Sequence, residues 1–254
     1  MKLPQLYDIF REEWEKYQSV WLISDTHFDD EELYIGTKHV IRANSENYVK
    51  LINSKVGKND LLICLGDVGN IEPIAKIRAA HKILVMGNHD VGASNYKRQK
   101  WEEIFDGMKF SKEQILEIMK KKYPNCHITI SDKEYRLAGP PFECYIAIAD
   151  NKLFDRVFQG PVMIGEKLIL SHEPLGLDWA FNIHGHMHSF SAENEKNCFN
   201  ICPDATGHFE PIPLKQILEG GYMSSVKTVH RGVIDNATKR ARKRGYSYGK
   251  KVKS

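Results

Sequence analysis

Residues of the types that bind metal ions follow the ends of five short apolar segments of the chain. The apolar segments cover residues 20–23, 61–65, 83–86, 167–170 and 181–183. The polar groups that follow them contain, in order, Asp25 and His27, Asp67, Asn88 with His89 and Asp90, His172, and His184 with His186 and His188. Carboxylate, amide and imidazole groups are common ligands for divalent metals. The sequence therefore predicts a metal site assembled from several strand ends.

Two of these groups place ligand-type residues at alternate positions. In an extended chain, residues two apart point to the same side, so Asp25 and His27 can direct a carboxylate and an imidazole at one ion. His186 and His188 repeat this arrangement. Clustered histidines favour metal binding, because exposed imidazoles contribute little to folding. His184 lies nearest the strand, so we expect it in the core or behind the ligands.

Apolar strands that alternate with helices predict a layered α/β fold. Further strands are predicted at residues 126–130, 135–138, 144–149 and 198–201. Helices are predicted at residues 39–52 and 73–80, and the apolar face formed by Leu3, Leu6, Phe10, Trp14 and Tyr17 predicts an N-terminal helix. Two more helices are predicted after Asp90, the second beginning at Ser111 with Gln114 completing a capping box. In parallel sheets, sites form at the carboxyl ends of the strands, where Gly66 and Gly87 allow sharp turns.

The composition indicates one main globular domain. The chain has 254 residues, of which 42% are apolar, enough for a substantial core. We expect a soluble, cytoplasmic protein, because neither a secretory signal nor a run of roughly 20 apolar residues is found. The five cysteines are an odd number, which argues against a disulfide framework. Cys198 and Cys202 could form half of a zinc site, but no second Cys/His pair has the required spacing.

Five short blocks resemble the signature of the calcineurin-like metallophosphoesterases. They are Asp25-x-His27, Gly66-Asp67, Gly87-Asn88-His89-Asp90, His172 and Gly185-His186-x-His188. The resemblance spans residues 20–213 and implies an α/β fold with four layers, an α-β-β-α sandwich in which helices flank two facing mixed sheets. The chain is similar to the short bacterial and phage-like members. It differs from them where Asp29-Asp30 follows Phe28 in place of Gly-His, a difference that bears on substrate choice.

The resemblance implies two metal ions. One would be held by Asp25, His27, Asp67 and His188, and the other by Asp67, Asn88, His172 and His186, with Asp67 as the bridge. Two ions about 3.5 to 4 Å apart can acidify a bridging water, so that hydroxide attacks phosphorus in line with the leaving group. Nitrogen and oxygen ligands without Cys point to Mn, Fe or Zn rather than Mg or Ca, and we expect Mn²⁺.

His89 is the residue expected to protonate the leaving oxygen, with Asp90 orienting its imidazole. We expect a phosphomonoesterase or phosphodiesterase whose substrate is a nucleotide or derives from nucleic acid, and the oligomeric state is left open. Side chains that could meet a phosphate or a base, although each is also typical of a solvated surface, are Lys133, Tyr135, Arg136, Tyr145, Arg156 and Arg42.

Charge divides the chain into residues 1–223, which include the N-terminal helix and which the resemblance implies to be a metallophosphoesterase domain, and a basic C-terminal extension, residues 224–254. The extension contains ten Lys or Arg and one acid, a net charge of +9, whereas the rest has 26 basic and 32 acidic residues, a net charge of −6. The extension either aids solubility or attracts a polyanion such as nucleic acid. No membrane partner is expected.

Three alternative protein classes fit these residues less well. A histidine-aspartate phosphohydrolase would need its metal ligands on helices, whereas His89-Asp90 follows a strand. A metallo-β-lactamase-like hydrolase would have His-x-His-x-Asp-His, but Ser189 and Phe190 follow His188. A metal-free binding scaffold on the same fold would be expected to lose ligands, and all seven are present.

Overall fold

The computed structural model describes residues 19–30, 41–90, 96–124, 126–135, 142–164, 168–189 and 197–223, together with residues 226 and 243. The strands within these ranges are β1 (Val20–Ile23), β2 (Leu61–Cys64), β3 (His81–Val85), β4 (Arg98–Asp106), β5 (His127–Tyr135), β6 (Phe142–Lys152), β7 (Arg156–Phe158), β8 (Val162–Ile164), β9 (Leu168–Leu170), β10 (Phe181–His184), β11 (Cys198–Asn200) and β12 (Ile212–Pro213). The helices within them are α1 (Ser45–Lys55), α2 (Lys112–Lys122), α3 (Pro203–Thr206), α4 (Leu214–Glu219) and a 3₁₀ helix (Glu72–Lys76).

The first sheet has the strand order β12-β1-β2-β3-β7. Its strands β1, β2, β3 and β7 are parallel, and β12 pairs antiparallel with β1. All four residues of β2 are buried, which explains why this strand is a continuous apolar run rather than an alternating one. The parallel register brings the carboxyl ends of β1, β2 and β3 to one edge of the sheet, as predicted.

The second sheet has the strand order β11-β10-β9-β8. Strands β9, β10 and β11 are parallel, and β8 pairs antiparallel with β9. A single apolar core joins the two sheets, because it contains Leu22, Ile63 and Val85 from the first and Leu170 and Ile183 from the second. Both sheets are thus mixed, and they share one core.

Helix α1 covers the other face of the first sheet. Its buried side chains Tyr48, Val49 and Ile52 pack in a cluster that also contains Leu62 and Leu84 from β2 and β3. These strand residues alternate with those of the shared core, as the two-residue period of a strand requires. The α/β class is therefore confirmed. The fourth layer, a set of helices outside the second sheet, stays a prediction.

A third, antiparallel sheet with the order β4-β6-β5 packs with α2 around a small separate core. The first of the two helices predicted after Asp90 is wrong, because residues 98–106 form β4. Trp101 and Phe105 pack in the core with α2, whereas Lys100 and Glu102 are exposed. Pairing with β6 imposes this two-residue alternation, which the sequence does not make obvious because half of the side chains are charged.

The second helix predicted after Asp90 is confirmed as α2. The Ser111 side chain accepts a hydrogen bond from the backbone N–H of Gln114, and the Gln114 side chain accepts one from the backbone N–H of Ser111. The helix predicted at residues 73–80 is instead the short 3₁₀ helix, because the chain becomes extended at Ile77.

Several predicted elements have different bounds or lie outside the described residues. The helix predicted at 39–52 is observed as α1, and the strand predicted at 135–138 is described only at Tyr135, the last residue of β5. The predicted N-terminal helix lies outside the described residues. Residues 224–254 also lie outside them, apart from Val226 and Lys243. Within the described part of the chain, no helix has the length and apolarity needed to cross a bilayer.

Candidate metal centre

The loops after β1 and β2 run side by side at the carboxyl edge of the first sheet. The backbone N–H of Asp25 donates to the oxygen of Gly66, and that of His27 donates to the oxygen of Asp67, both at 3.0 Å. The loop after β10 joins them, because the backbone N–H of His186 lies 3.0 Å from both carboxylate oxygens of Asp25. Loops from both sheets therefore meet at one place.

The first group of ligand-type side chains is formed by Asp25, His27 and Asp67, whose ligand atoms all lie within 4.8 Å of one another. Nε2 of His27 is 3.6 Å from Oδ2 of Asp67. Nε2 of His188 is 3.6 Å from Oδ1 of Asp25. The four residues expected to hold one metal ion are thus adjacent.

The second group surrounds Nε2 of His172. This nitrogen is 2.9 Å from Oδ1 of Asn88, 3.1 Å from Nδ1 of His186 and 3.2 Å from Oδ2 of Asp67. The four residues expected to hold the other ion are again adjacent. Oδ2 of Asp67 belongs to both groups, which is the position that a bridging carboxylate requires.

Three of the imidazoles are held at the nitrogen that faces away from the cluster. Nδ1 of His27 is 3.2 Å from Oδ2 of Asp30, Nδ1 of His172 is 2.8 Å from the backbone oxygen of Leu65, and Nδ1 of His188 is 2.5 Å from Oδ2 of Asp204. An acceptor at Nδ1 keeps the proton there and leaves the lone pair on Nε2. The tautomers and ring orientations therefore suit metal binding.

The backbone of this region is not extended. Asp25, His27, Asp67 and His186 have positive φ angles of 49°, 41°, 52° and 66°. The expected extended clamp is therefore corrected, since the side chains converge through left-handed backbone instead. Non-glycine residues rarely adopt this conformation, and clusters of such residues are typical of functional sites.

Two glycines permit the close approach of backbone to ligand. A Cβ on Gly87 would lie 2.2 Å from Oδ1 of Asp67, and a Cβ on Gly185 would lie 2.3 Å from Oδ2 of Asp25. Any other residue at these positions would displace a carboxylate of the cluster. The sequence predicts that Gly87 allows a sharp turn, and the structure shows in addition that its lack of a side chain leaves room for the carboxylate of Asp67.

The donor set fits a divalent cation. When His172 is neutral, with its Nδ1–H donating to Leu65, the ring directs its Nε2 lone pair at Asn88 and Asp67, whose oxygens are also acceptors. Such lone pairs repel one another unless a proton or a cation lies between them. Nitrogen and oxygen donors suit Mn, Fe or Zn, so the residues fit the expected metals.

Protons and metal ions compete for this cluster. Burial opposes charge on His172, but its hydrogen bond with Asp67 and the nearby carboxylates outweigh burial and raise its pKa to about 9. Burial would raise the pKa of Asp67, yet the hydrogen bond from His172 brings it below the usual value. For His27, burial dominates and lowers the pKa. A metal ion must therefore displace a proton from His172 at neutral pH.

The sequence pattern of the calcineurin-like phosphoesterases matches residues 19–200 of this chain. The chain belongs to this family. Its members generally hydrolyse phosphoesters with the help of divalent metals. No curated protein matches the chain significantly. Among solved structures, a protein of unknown function from Aquifex aeolicus matches with a TM-score of 0.42 and 18% sequence identity, over 79% of this chain and 98% of that one.

In this member of the family, Asp90 has a different role from the one expected. Its carboxylate accepts hydrogen bonds from the backbone N–H groups of Asp67 (2.9 Å), Val68 (3.0 Å) and Gly87 (2.8 Å). It therefore fastens the loops after β2 and β3 together. This corrects the expectation that Asp90 orients the imidazole of His89.

The imidazole of His89 faces the cluster from the solvent side. His89 is exposed, and its ring centroid is 5.6 Å from that of His27. Its backbone N–H donates to Oδ1 of Asp67 at 3.0 Å. The side chain of His89 is outside both ligand groups, so it is available for a role other than metal binding. His184 is buried, with Nδ1 2.8 Å from the oxygen of Gly185, in keeping with a core position.

The side chain of Arg42 is buried. Its side chain is 1% exposed and contacts Asp25 and Asp204, which corrects its candidacy as a phosphate-binding residue. Burial would raise the pKa of Asp204, but hydrogen bonds from His188 and Arg42 hold it below its usual range. Asp204 was missed because nothing in its local sequence distinguishes it.

Two further residues near the first group were not recognised from the sequence. The ligand atoms of Cys202, Asp25 and His188 lie within 4.8 Å of one another. The Cys202 thiol is buried, and burial raises its pKa, so it stays protonated. Asp30 was noted only as a departure from related sequences that bears on substrate choice, whereas the structure places it against the ligand His27.

A cavity of about 260 Å³ opens beside the second group. Its lining includes Asn88 and His172 together with Gln159, Pro161 and Glu173. The described candidates for substrate contact, Lys133, Tyr145 and Arg156, are not among the residues that line it; Arg136 and the side chain of Tyr135 lie outside the described residues. A larger cavity of about 720 Å³, near Trp21, Phe199 and Tyr222, contains none of the seven ligands.

Proposed function

We propose that this chain is a two-metal-dependent phosphoester hydrolase. The observation that carries the proposal is the sharing of Asp67 Oδ2 between two groups of ligand atoms, 3.6 Å from Nε2 of His27 and 3.2 Å from Nε2 of His172. A site for one metal ion would not require two groups of ligand atoms around the carboxylate of Asp67. Asp25, His27, Asp67 and His188 would hold one ion, and Asp67, Asn88, His172 and His186 the other.

The ions would supply a nucleophilic water at neutral pH and positive charge for the phosphate oxygens. The chain itself positions the reacting groups. Asp90 fixes the loops that carry Asp67 and Asn88, and the hydrogen bonds at Nδ1 fix the rings of His27, His172 and His188. Fixed ligands keep the two ions at the spacing that in-line attack requires.

His89 is proposed as the general acid that protonates the leaving oxygen. Its ring lies next to that of His27 yet outside the ligand groups, and it is open to the solvent, from which it can be reprotonated. An imidazole can both donate and accept a proton at neutral pH, as a general acid must.

The substrate is proposed to be a nucleotide or a fragment derived from nucleic acid, and Mn²⁺ is proposed as the activating metal. The cavity beside Asn88 and His172, of about 260 Å³, is slightly smaller than the range typical of small-molecule sites, about 300 to 1,000 Å³. Gln159 in its lining offers an amide that can hydrogen-bond to a base or a sugar.

The test is a screen of nucleotides, cyclic nucleotides, single-stranded and duplex DNA and RNA, and bis-p-nitrophenyl phosphate, each with Mn²⁺. We expect hydrolysis of the aryl phosphodiester that is lost after chelation and returns when Mn²⁺ is added back. Metal analysis of the active protein should give two ions per chain. A chain that binds no metal and hydrolyses none of these compounds would be the metal-free scaffold instead.

The basic extension favours a second candidate, a nuclease that gathers nucleic acid electrostatically. Within residues 239–244, Lys239, Arg240, Arg242, Lys243 and Arg244 are all basic. Phosphate contacts release counterions, so binding must weaken steeply as salt rises. The acidic body of the chain alone would not attract a polyanion.

We expect a variant that ends at Val226 to hydrolyse bis-p-nitrophenyl phosphate at an unchanged rate, because it keeps all seven ligands and the buried Val226 while losing all ten basic residues of the extension. Its binding to single-stranded and duplex nucleic acid should be weaker than that of the full chain at low salt and less dependent on salt. Fluorescence anisotropy at two salt concentrations measures both effects. Equal, weak binding by both forms at low salt would refute the nuclease candidate and favour a small-molecule substrate.

A further inference from the structure

Arg42 and Asp204, which are distant in sequence, form a buried ion pair that contacts two proposed metal ligands. Nη2 of Arg42 is 2.8 Å from Oδ2 of Asp204. Through Nε and Nη2, Arg42 also donates to the backbone oxygen of Asp25, at 3.1 and 3.0 Å. Oδ2 of Asp204 lies 2.5 Å from Nδ1 of His188. The pair therefore holds Asp25 through its backbone and His188 through its side chain.

The burial of this pair needs an explanation other than stability. The Arg42 side chain is 1% exposed and that of Asp204 is 12% exposed. Buried ion pairs add little net stability compared with apolar residues of the same volume, because both charges must be desolvated. Removing one partner alone leaves a buried charge uncompensated. The presence of a buried ion pair at this position is explained if the pair has a role in positioning the residues it contacts, Asp25 and His188.

Asp204 is also held in a single orientation. Its Oδ2 is within hydrogen-bond reach of three donors, Arg42, His188 and the thiol of Cys202, whose Sγ is 3.5 Å away. A carboxylate with this many partners cannot rotate without losing several of them. The ring of His188, bonded to it, is fixed in turn.

We propose that the Arg42–Asp204 pair positions Asp25 and His188 and thereby sets the affinity of one of the two metal ions, with at most a small effect on the other through the hydrogen bonds between Asp25 and His186. The inference rests on the proposed two-metal function. A carboxylate at Nδ1 fixes the tautomer of His188 and makes its Nε2 a stronger donor. In the second group, His172 is held by the neutral backbone oxygen of Leu65 and does not contact the pair. The two positions therefore differ in what supports them.

The first test is the Asp204→Asn variant of the full chain, titrated with Mn²⁺ by calorimetry. We expect one ion to bind about 10- to 100-fold more weakly, and the affinity of the other to stay within about twofold. At a moderate Mn²⁺ concentration, electron paramagnetic resonance should show the spin-coupled signal of two adjacent Mn²⁺ ions in the wild-type protein. The variant should show the signal of an isolated ion.

The matched control is Asp155→Asn, which removes a carboxylate in an equivalent environment. Oδ2 of Asp155 accepts from the backbone N–H of Lys82 at 2.7 Å and is 3.3 Å from Nδ1 of His81. This carboxylate is thus also bonded to an imidazole, and it is not part of either ligand group. Both Mn²⁺ affinities should be unchanged in the control, even if it melts at a lower temperature.

A double variant, Arg42→Met with Asp204→Leu, separates positioning from stability. Because both charges are removed together, thermal stability should be higher than that of Asp204→Asn, in which Arg42 stays buried without a carboxylate partner. The affinity of the first ion should stay low, because Nδ1 of His188 has still lost its acceptor. This variant keeps the test decisive if Asp204→Asn fails to fold.

Three results would overturn the inference. They are two unchanged Mn²⁺ affinities in Asp204→Asn, equal weakening of both ions in a folded variant, and recovery of metal binding along with stability in the double variant. If the wild-type protein binds no Mn²⁺, the proposed function itself is refuted. The titration of the wild-type protein therefore distinguishes a failure of the proposed function from a failure of this inference.

Discussion

An Asp67→Asn variant is expected to lose both metal ions and to slow hydrolysis of bis-p-nitrophenyl phosphate by about 10³-fold or more. Oδ2 of Asp67 lies 3.6 Å from Nε2 of His27 and 3.2 Å from Nε2 of His172, while Oδ1 accepts the backbone N–H of His89. An amide has only one oxygen for these tasks and carries no charge. One substitution therefore weakens both metal positions.

Metal analysis after dialysis and the hydrolysis rate with added Mn²⁺ measure the two effects. The Asp155→Asn variant serves as the control, because it also converts a largely buried carboxylate to an amide, away from the cluster. It should retain two ions and normal turnover. If Asp67→Asn keeps two ions per chain and near-normal turnover, the assignment of a bridging carboxylate is wrong.

A His89→Asn variant is expected to keep both metal ions and to slow hydrolysis of substrates with poor leaving groups by about 10²-fold. Its ring faces that of His27 at a centroid distance of 5.6 Å but belongs to neither ligand group. The backbone hydrogen bond from residue 89 to Asp67 is retained, because it does not involve the side chain. The loss should therefore fall on proton transfer alone.

Nitrophenyl esters should be affected much less, since their leaving groups depart without protonation. Comparing an alkyl and an aryl phosphodiester with the same variant measures this difference. His208→Asn, at an exposed histidine outside both ligand groups, is the matched control and should change neither rate. Equal losses on the alkyl and aryl substrates would remove His89 from the role of leaving-group acid.

Much of the fold and the proposed ligand set could be predicted from the sequence, because the relevant signals are local. Each ligand block directly follows an apolar strand, and parallel strands bring their carboxyl ends to one edge. Position after a strand is therefore enough to place Asp25, Asp67 and Asn88 at one edge of the first sheet, and His172 and His186 at one edge of the second. The family assignment follows from the same blocks and is confirmed by the match over residues 19–200.

Local conformation was predicted less well where tertiary contacts override it. The chain around Asp25 and His27 was expected to be extended, yet both residues have positive φ. Hydrogen bonds to the neighbouring loop at Gly66 and Asp67 stabilise this unfavourable conformation. Strand β4 was interpreted as a helix for a related reason, since its conformation depends on pairing with β6.

The sequence by itself determined which residues could bind metal, because residue type and position after a strand are properties of the chain. Only the tertiary structure decided how those residues are supported. Arg42 and Asp204 lie 162 positions apart, and the hydrogen bond between them joins the turn before α1 to helix α3, two segments that no sequence periodicity connects. The carboxylate of Asp90 likewise turns to the backbone of Asp67 and Val68 rather than to its neighbour His89. Such contacts depend on how the loops pack over the ends of both sheets, and that packing is set by the whole core rather than by any local pattern.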